Sequence, residues 1–192
     1  MTCIAAVTDG RRIVIGGDSA GVDNLSLTVR NDKKVFQRID EAGNEWVFGF
    51  TTSFRMGQLI QYELALPVMN EKTREDVHAF MVTKFVHNLR KCLTDGGWSE
   101  TKSVRESAGT FIVGLLGRLF IIQSDYQVAE PRDAFTAVGC GHDLAKGSLY
   151  TSRVMRNPVN RIKIALLASE RFSGGVRAPF TFAESNTLKP PI

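Results

Sequence analysis

The chain starts a β-strand almost at its first residue. Thr2-Cys3-Ile4-Ala5-Ala6-Val7 runs into Asp9-Gly10, a strong hairpin signal, and Ile13-Val14-Ile15 returns before Gly16-Gly17-Asp18. Two short paired strands therefore begin at the second residue. Most chain ends are loose; one built into a sheet is pinned, and the residues flanking it are held in place.

The pattern then continues as strand, helix and strand again. Lys34-Val35-Phe36 opens a third strand, Gly43-Asn44 turns the chain, and Trp46-Val47-Phe48-Gly49-Phe50 is a fourth. From Ser53 the period becomes helical, with Met56, Leu59, Ile60 and Leu64 on one face and Ser53 as N-cap, until Pro67. Thr73 and Asp76 resemble a capping box for a second helix carrying Val77, Phe80, Met81, Phe85 and Leu89, closed by Gly96-Gly97. A polar connection, Ser99 to Ser107, leads to strands at 110–113 and 119–122, joined by Gly117-Arg118, and to a strand at 135–138 that enters Gly139-Cys140-Gly141-His142. Helices at 143–152 and 159–170, parted near Pro158, precede a last strand at 177–182 and a loose tail, 186–192. Runs of strands followed by runs of helices predict an α+β layered architecture in one domain spanning 1–192.

Composition removes several function classes. Hydrophobic residues make up 43% of the 192, with no apolar run near the ~20 residues that span a bilayer, so no membrane role is expected. The start, Met1-Thr2-Cys3-Ile4-Ala5, lacks the basic region of a secretory signal. The 24 Lys and Arg are interspersed among 20 acidic residues, with neither patch nor motif for nucleic acid. Cys3, Cys92 and Cys140 are odd in number and far apart, and the three histidines have no ligand spacing. Reduced thiols in a cytoplasmic protein, with no metal and no cofactor, are the expectation.

The chemistry centres on three polar residues that interrupt apolar strands: Thr2, Asp18 and Lys34. Taken singly, each reads equally as a strand-end threonine, a turn carboxylate and a solvated lysine. Methionine aminopeptidases clear Met before a small residue, which would leave Thr2 with a free α-amino group.

Together these residues resemble the proteasome β-subunit family, HslV included, within the N-terminal-nucleophile (Ntn) hydrolases, and bacterial proteasome homologues above all. The resemblance rests on Thr2 in Met-Thr-Cys-Ile, Ile15-Gly16-Gly17-Asp18-Ser19, Lys33-Lys34-Val35, Phe48-Gly49-Phe50, Ala137-Val138-Gly139-Cys140-Gly141 and Ser173-Gly174-Gly175, in register over about residues 2–182. It implies a four-layer α-β-β-α sandwich of two antiparallel sheets, assembled as a stacked-ring homo-oligomer. It implies an N-terminal threonine endopeptidase cutting peptides or unfolded proteins, with room for an ATP-dependent unfoldase as partner. Carried over by residue, Thr2 is the nucleophile, Asp18 its acidic partner, Lys34 the active-site lysine and Ser173 the serine near the nucleophile's amine. Glu170 stands where many members have Asp. Two departures are plain. The oxyanion Gly-Gly pair is Thr52-Ser53 here, after Thr51, and Cys140 replaces a serine hydroxyl with a weaker donor.

The acid–base logic is independent of the family. An α-amine has a reference pKa of ~7.7–8.0 against ~10.4 for lysine, so the amine is the better base near neutrality. Lys34 should stay cationic, with Asp18 keeping it charged, and a Thr52 N–H should serve the oxyanion. A catalytically silent ring subunit and a small-molecule Ntn amidohydrolase remain alternative readings, since fold does not fix substrate. For the substrate side chain, strand alternation puts Asp32, Lys34 and Phe36 on one face if the strand reaches back to residue 32, and the family resemblance implies Phe50 close to the same pocket. That pocket would favour large apolar residues, tolerate basic ones and reject acidic ones; the competing reading leaves Asp32 in a turn facing solvent.

Overall fold

A computed structural model describes residues 1–98, 100–102 and 105–186. Strand β1 (Cys3–Thr8) turns through Asp9-Gly10 into β2 (Arg12–Gly17). The Asp9 carboxylate accepts the N–H groups of Arg11 and Arg12 at 2.8 and 2.7 Å, which closes the turn. The first hairpin appended to this pair is β3 (Ala20–Asp23) with β4 (Ser26–Val29). Next come β5 (Val35–Ile39) and β6 (Glu45–Phe50).

Helix α1 (Phe54–Tyr62) is capped by Ser53, whose hydroxyl accepts from Arg55 and Met56. The short α2 (Glu71–Glu75) precedes α3 (Val77–Phe80), which passes through a π-helical turn, Met81–Phe85, into α4 (Val86–Asp95). The hairpin β7 (Glu100–Lys102) and β8 (Arg105–Ser107) leads to β9 (Phe111–Leu115), β10 (Arg118–Ile122), β11 (Val128–Ala129) and β12 (Phe135–Gly139). Helices α5 (His142–Thr151) and α6 (Pro158–Phe172) and strand β13 (Thr181–Asn186) complete the described chain.

The strands form two main antiparallel sheets, ordered β12-β1-β2-β13 and β11-β10-β9-β6-β5. Alternation divides each strand between two cores. Ile4, Ala6, Ile13 and Ile15 of the first sheet meet Val35, Val47, Ile112 and Leu119 of the second. Cys3, Ala5, Val7 and Val14 face the other way, onto Ala145, Leu149, Ile162, Ala165 and Leu166 of α5 and α6. Trp46, Phe48, Phe50 and Phe111 face Met56, Leu59, Phe80, Phe85 and Leu89 of α1, α3, the π turn and α4. The result is a four-layer α-β-β-α sandwich. Burial on both faces is why β1, β2 and β6 read as unbroken apolar runs. The sheets approach closely at Gly49, where a Cβ would lie 2.5 Å from Ile4 Cγ2.

Several expectations shift. The hairpin β3–β4 was not expected: Ser26-Leu27-Thr28-Val29 alternates, but the run is only four residues long and is exposed along its whole length, so no core anchors it. The polar connection contains the paired β7 and β8, with Ser99, Ser103 and Val104 outside the described residues. Asn70, not Thr73, caps α2, with Thr73 as its reciprocal partner, while Asp76 caps α3 by accepting from Ala79 N at 2.9 Å. Pro158 is the first residue of α6 rather than a break before it. The last strand begins at Thr181 because residues 177–179 spend their backbone groups on the 18–19 segment: Ser19 N donates to Arg177 O at 2.8 Å, and Ser19 Oγ to Pro179 O at 2.6 Å. Asn186, expected in the loose tail, closes that strand, and residues 187–192 lie outside the described residues.

Candidate active site

The site lies where strand ends converge. Cys3 pairs with Gly139 and Ile4 with Gly17, so Thr2, Asp18 and Cys140 emerge together at one end of the first sheet. In the second sheet Val35 pairs with Gly49, and Lys34 O accepts Phe50 N at 3.0 Å, which brings Lys34 and Thr51 to the same end. Gly139 is wedged between the two sheets here. A Cβ on it would fall 2.2 Å from the Thr2 carbonyl oxygen and 3.2 Å from the Thr51 methyl, and its φ of +96° suits glycine.

Thr2, Asp18 and Lys34 are all buried and in one chain of contacts. Lys34 Nζ donates to Thr2 Oγ1 at 2.6 Å and to Asp18 Oδ1 at 2.9 Å. The Thr2 hydroxyl donates onward to the Met1 carbonyl. Asp18 has no exposed surface, and its two oxygens also accept Cys3 N and Ala20 N, both at 2.9 Å, and Arg177 N at 3.2 Å. A carboxylate so fully bonded is fixed in position and satisfied. Burial pushes the Lys34 ammonium below the ordinary lysine range, and the neighbouring Asp18 carboxylate pulls against that. Asp18 acts in the expected direction, favouring the charged lysine, but desolvation is the larger influence.

The remaining candidates divide. Thr2 N donates to Cys140 Sγ at 3.2 Å, and Cys140 Sγ lies 3.4 Å from Ser173 Oγ, so Ser173 reaches the Thr2 nitrogen through the thiol. Glu170 does not join this group; its carboxylate accepts Ala178 N at 2.8 Å and steadies the segment after α6. Thr51 is buried, with its hydroxyl on Thr110 O at 2.9 Å. Thr52 holds a left-handed backbone, φ +67°.

Two pocket assignments need correction. β5 starts at Val35 and does not reach residue 32. Asp32 is held in an exposed bend by Arg30, whose Nε and Nη2 each donate to it at 2.7 Å. These bonds keep its carboxyl below the usual carboxylate range. Phe36 and Phe50 belong to the core beneath α1, where Phe50 sits edge-on to Phe54, 5.7 Å between centroids.

Two residues that sequence reasoning missed stand beside the lysine. The Arg30 guanidinium lies 3.6 Å from the Phe54 ring centroid, and Lys34 Nζ is 5.6 Å from the same ring. No spacing in the sequence links 30 to 54. Beyond Ser173 a cleft of about 730 Å³ opens, lined by Leu167, Glu170, Phe172 and Arg177.

No family model matches this sequence, and no curated protein does. Solved structures do. BPH from Thiobacillus denitrificans superposes with TM-score 0.74 at 18% identity, covering 98% of this chain and 100% of that one. HslV from Trypanosoma brucei gives TM-score 0.67 at 16% identity over 96% of this chain and 99% of that one. This is the fold of the Ntn hydrolases. Anbu from Pseudomonas aeruginosa, solved as a helical assembly, gives 0.65 at 14% identity, covering 98% of this chain and 83% of that one.

Strand β1 is central to its sheet, between β12 and β2. That placement explains why Thr2 is buried although it is one residue from the end.

Proposed function

We propose that this chain is a proteasome-like N-terminal threonine endopeptidase that cuts peptide or unfolded-protein substrates inside a homo-oligomeric compartment in the cytoplasm. The observation that carries this reading is the buried contact of Lys34 Nζ with both Thr2 Oγ1 and Asp18 Oδ1. A buried ammonium needs a carboxylate and acceptors in any protein, so Asp18 alone would be ordinary. The telling partner is the hydroxyl of Thr2, whose nitrogen becomes a free amine once Met1 is removed.

The steps follow from the groups present. Removal of Met1 frees the Thr2 amine, with Cys140 Sγ and, behind it, Ser173 to orient it. The amine takes the Oγ1 proton as Oγ1 bonds to the substrate carbonyl carbon. The adjacent ammonium of Lys34 favours the developing alkoxide, and its lowered proton affinity eases transient proton sharing. The carbonyl oxygen becomes an oxyanion, and the Thr52 N–H is the donor assigned to it. Collapse breaks the C–N bond, the proton on the Thr2 amine passes to the leaving amine, and an ester on Thr2 remains. Water, deprotonated by the same amine, hydrolyses that ester and returns the proton to Oγ1.

Two neighbours add support at the level of kind. BPH has been solved in complex with epoxomicin, and Anbu as a helical assembly. The side-chain pocket is assigned to the Arg30–Phe54 wall beside Lys34. With Asp32 neutralised by Arg30, the pocket favours large apolar residues and carries no free carboxylate to attract basic ones. An unfoldase that feeds the compartment fits this reading.

The test is chemical. Incubation with epoxomicin followed by peptide mass spectrometry should place one adduct on Thr2. Thr2→Ala should remove the adduct and peptide turnover together, and Lys34→Ala should leave less than about a tenth of the rate, a loss above ~1.4 kcal/mol in the barrier. Peptide hydrolysis that survives Thr2→Ala would sink the reading. Turnover of small amides but no peptides would move the chain to the amidohydrolases.

A further inference from the structure

Thr52 is a non-glycine residue in a backbone conformation that favours glycine, φ +67°. For a β-branched side chain such a conformation is an outlier that persists only where the surroundings over-determine it. Here they do. Thr52 Oγ1 accepts the Thr110 N–H at 3.1 Å, just ahead of β9, and lies 3.2 Å from Thr51 Oγ1. Thr51 is itself tied to the same residue, since its N–H and hydroxyl both donate to Thr110 O, at 3.1 and 2.9 Å. Behind Thr52 stands Gly109, where an added Cβ would lie 2.8 Å from Thr52 Cβ and 3.0 Å from its Oγ1. After it, Ser53 N donates to Thr51 O at 2.7 Å while Ser53 Oγ caps α1.

Three residues are thus fastened on both sides, and one group between them is left over. The Thr52 N–H has no hydrogen-bond partner among the described residues. It follows Thr51, whose methyl shares the Gly139 wedge with the Thr2 carbonyl. A free donor beside a nucleophile is useful only if it stays where the charge will develop, because preorganised donors avoid reorganisation during the reaction.

We propose that the Thr52 side chain is a positioning residue. By accepting the Thr110 N–H, Oγ1 clamps residue 52 in the left-handed conformation and holds its own N–H toward a carbonyl bound at Thr2. This rests on the Thr2 hydrolase reading and adds to it a role for a hydroxyl that touches no substrate. A glycine would enter the same conformation without strain, but it would also leave it freely and would carry no Oγ1. Function and local relaxation therefore pull in opposite directions at this position.

Three variants test the clamp. Thr52→Gly relieves the strain, so it should melt no lower than the native protein, yet its kcat should fall about tenfold with KM changed less than about twofold, the pattern of a lost transition-state contact. Thr52→Ala loses the acceptor and keeps the strain, so kcat and Tm should both fall. Thr52→Ser restores the acceptor and should recover most of the kcat that Thr52→Gly loses. Native-state hydrogen exchange reads the clamp without any turnover: the Thr110 amide should exchange at least ~tenfold faster in Thr52→Gly and keep its protection in Thr52→Ser. Should the native protein neither cut peptides nor take epoxomicin on Thr2, the hydrolase reading fails, while unchanged Thr110 protection in Thr52→Gly overturns the clamp on its own. With an active enzyme, a Thr52→Gly kcat within twofold of native, or a Thr52→Ser as slow as Thr52→Gly, also overturns it.

Discussion

Cys3, the first residue of β1, and Cys140, just after β12, have opposite properties. Cys140 is exposed, whereas Cys3 is buried, and burial pushes its thiol up to about 12 although the bond from its Sγ to Ser169, 3.5 Å, works the other way. At pH 8 the thiolate of such a group is a fraction of about one in ten thousand, so iodoacetamide should label Cys140 and spare Cys3 until the protein unfolds. The same shift has a stability consequence. A folded-state value above the unfolded 9.0 contributes fully below pH 9 and is lost between 9 and about 12. By pH 10 that loss is about 1.4 kcal/mol. Lys34 has the opposite sign, its burial penalty easing as pH rises toward 10.5. Urea titrations of native and Cys3→Ala protein from pH 8 to 10 separate the two, since only the native chain carries the Cys3 decline; parallel curves would refute the assignment. Thr2, Asp18 and Lys34 carried no signal singly; only the resemblance grouped them, and the structure brings their side chains into contact. Arg30 and Phe54 were not legible, because a cation stacked on a ring 24 positions away is a tertiary fact with no local signal.

Among the elements, the most misleading stretch was the one from β3 to β5. Leu27 and Val29 of β4 are exposed, at 42% and 51%, so the alternation of Ser26-Leu27-Thr28-Val29 belongs to a strand whose apolar side covers no core. The chain then makes its bend at 31–34 with Arg30 turned back over Asp32, which is why the strand stops short of residue 32. The strands buried on both faces, by contrast, were plain from their composition, as was the cap at Ser53. The bend carries a prediction. Asp32→Asn removes the carboxylate that occupies Arg30 and leaves its guanidinium free beside the pocket, a residue well suited to pair with a carboxylate. Cleavage after Glu or Asp in a fluorogenic peptide panel should then rise severalfold relative to cleavage after Leu or Phe. An unchanged ratio would remove Arg30 from the pocket.

At the scale of the whole molecule, exposed apolar side chains are spread over several elements, and two groups of them matter for assembly. Leu144, Ile164, Leu167 and Phe172 lie outward on α5 and α6, and Leu25, Leu27 and Val29 on the protruding hairpin. Two different patches are what rings stacked on one another require, one for the contact around a ring and one for the contact between rings. Analytical ultracentrifugation at micromolar concentration should find a large homo-oligomer and no monomer boundary, and Phe172→Asp with Leu167→Asp should shift it to smaller species. A native monomer would count against the compartment. Asp18 joins distant parts of the chain in another way, with its oxygens on Cys3 N, Ala20 N, Lys34 Nζ and Arg177 N. Residues 3 and 177 are far apart in the sequence, so this carboxylate is fully bonded only once distant segments have come together. A chain folded in one part alone would leave Asp18 short of partners, and the end of the sheet that holds Thr2 would be assembled with the fold as a whole rather than ahead of it.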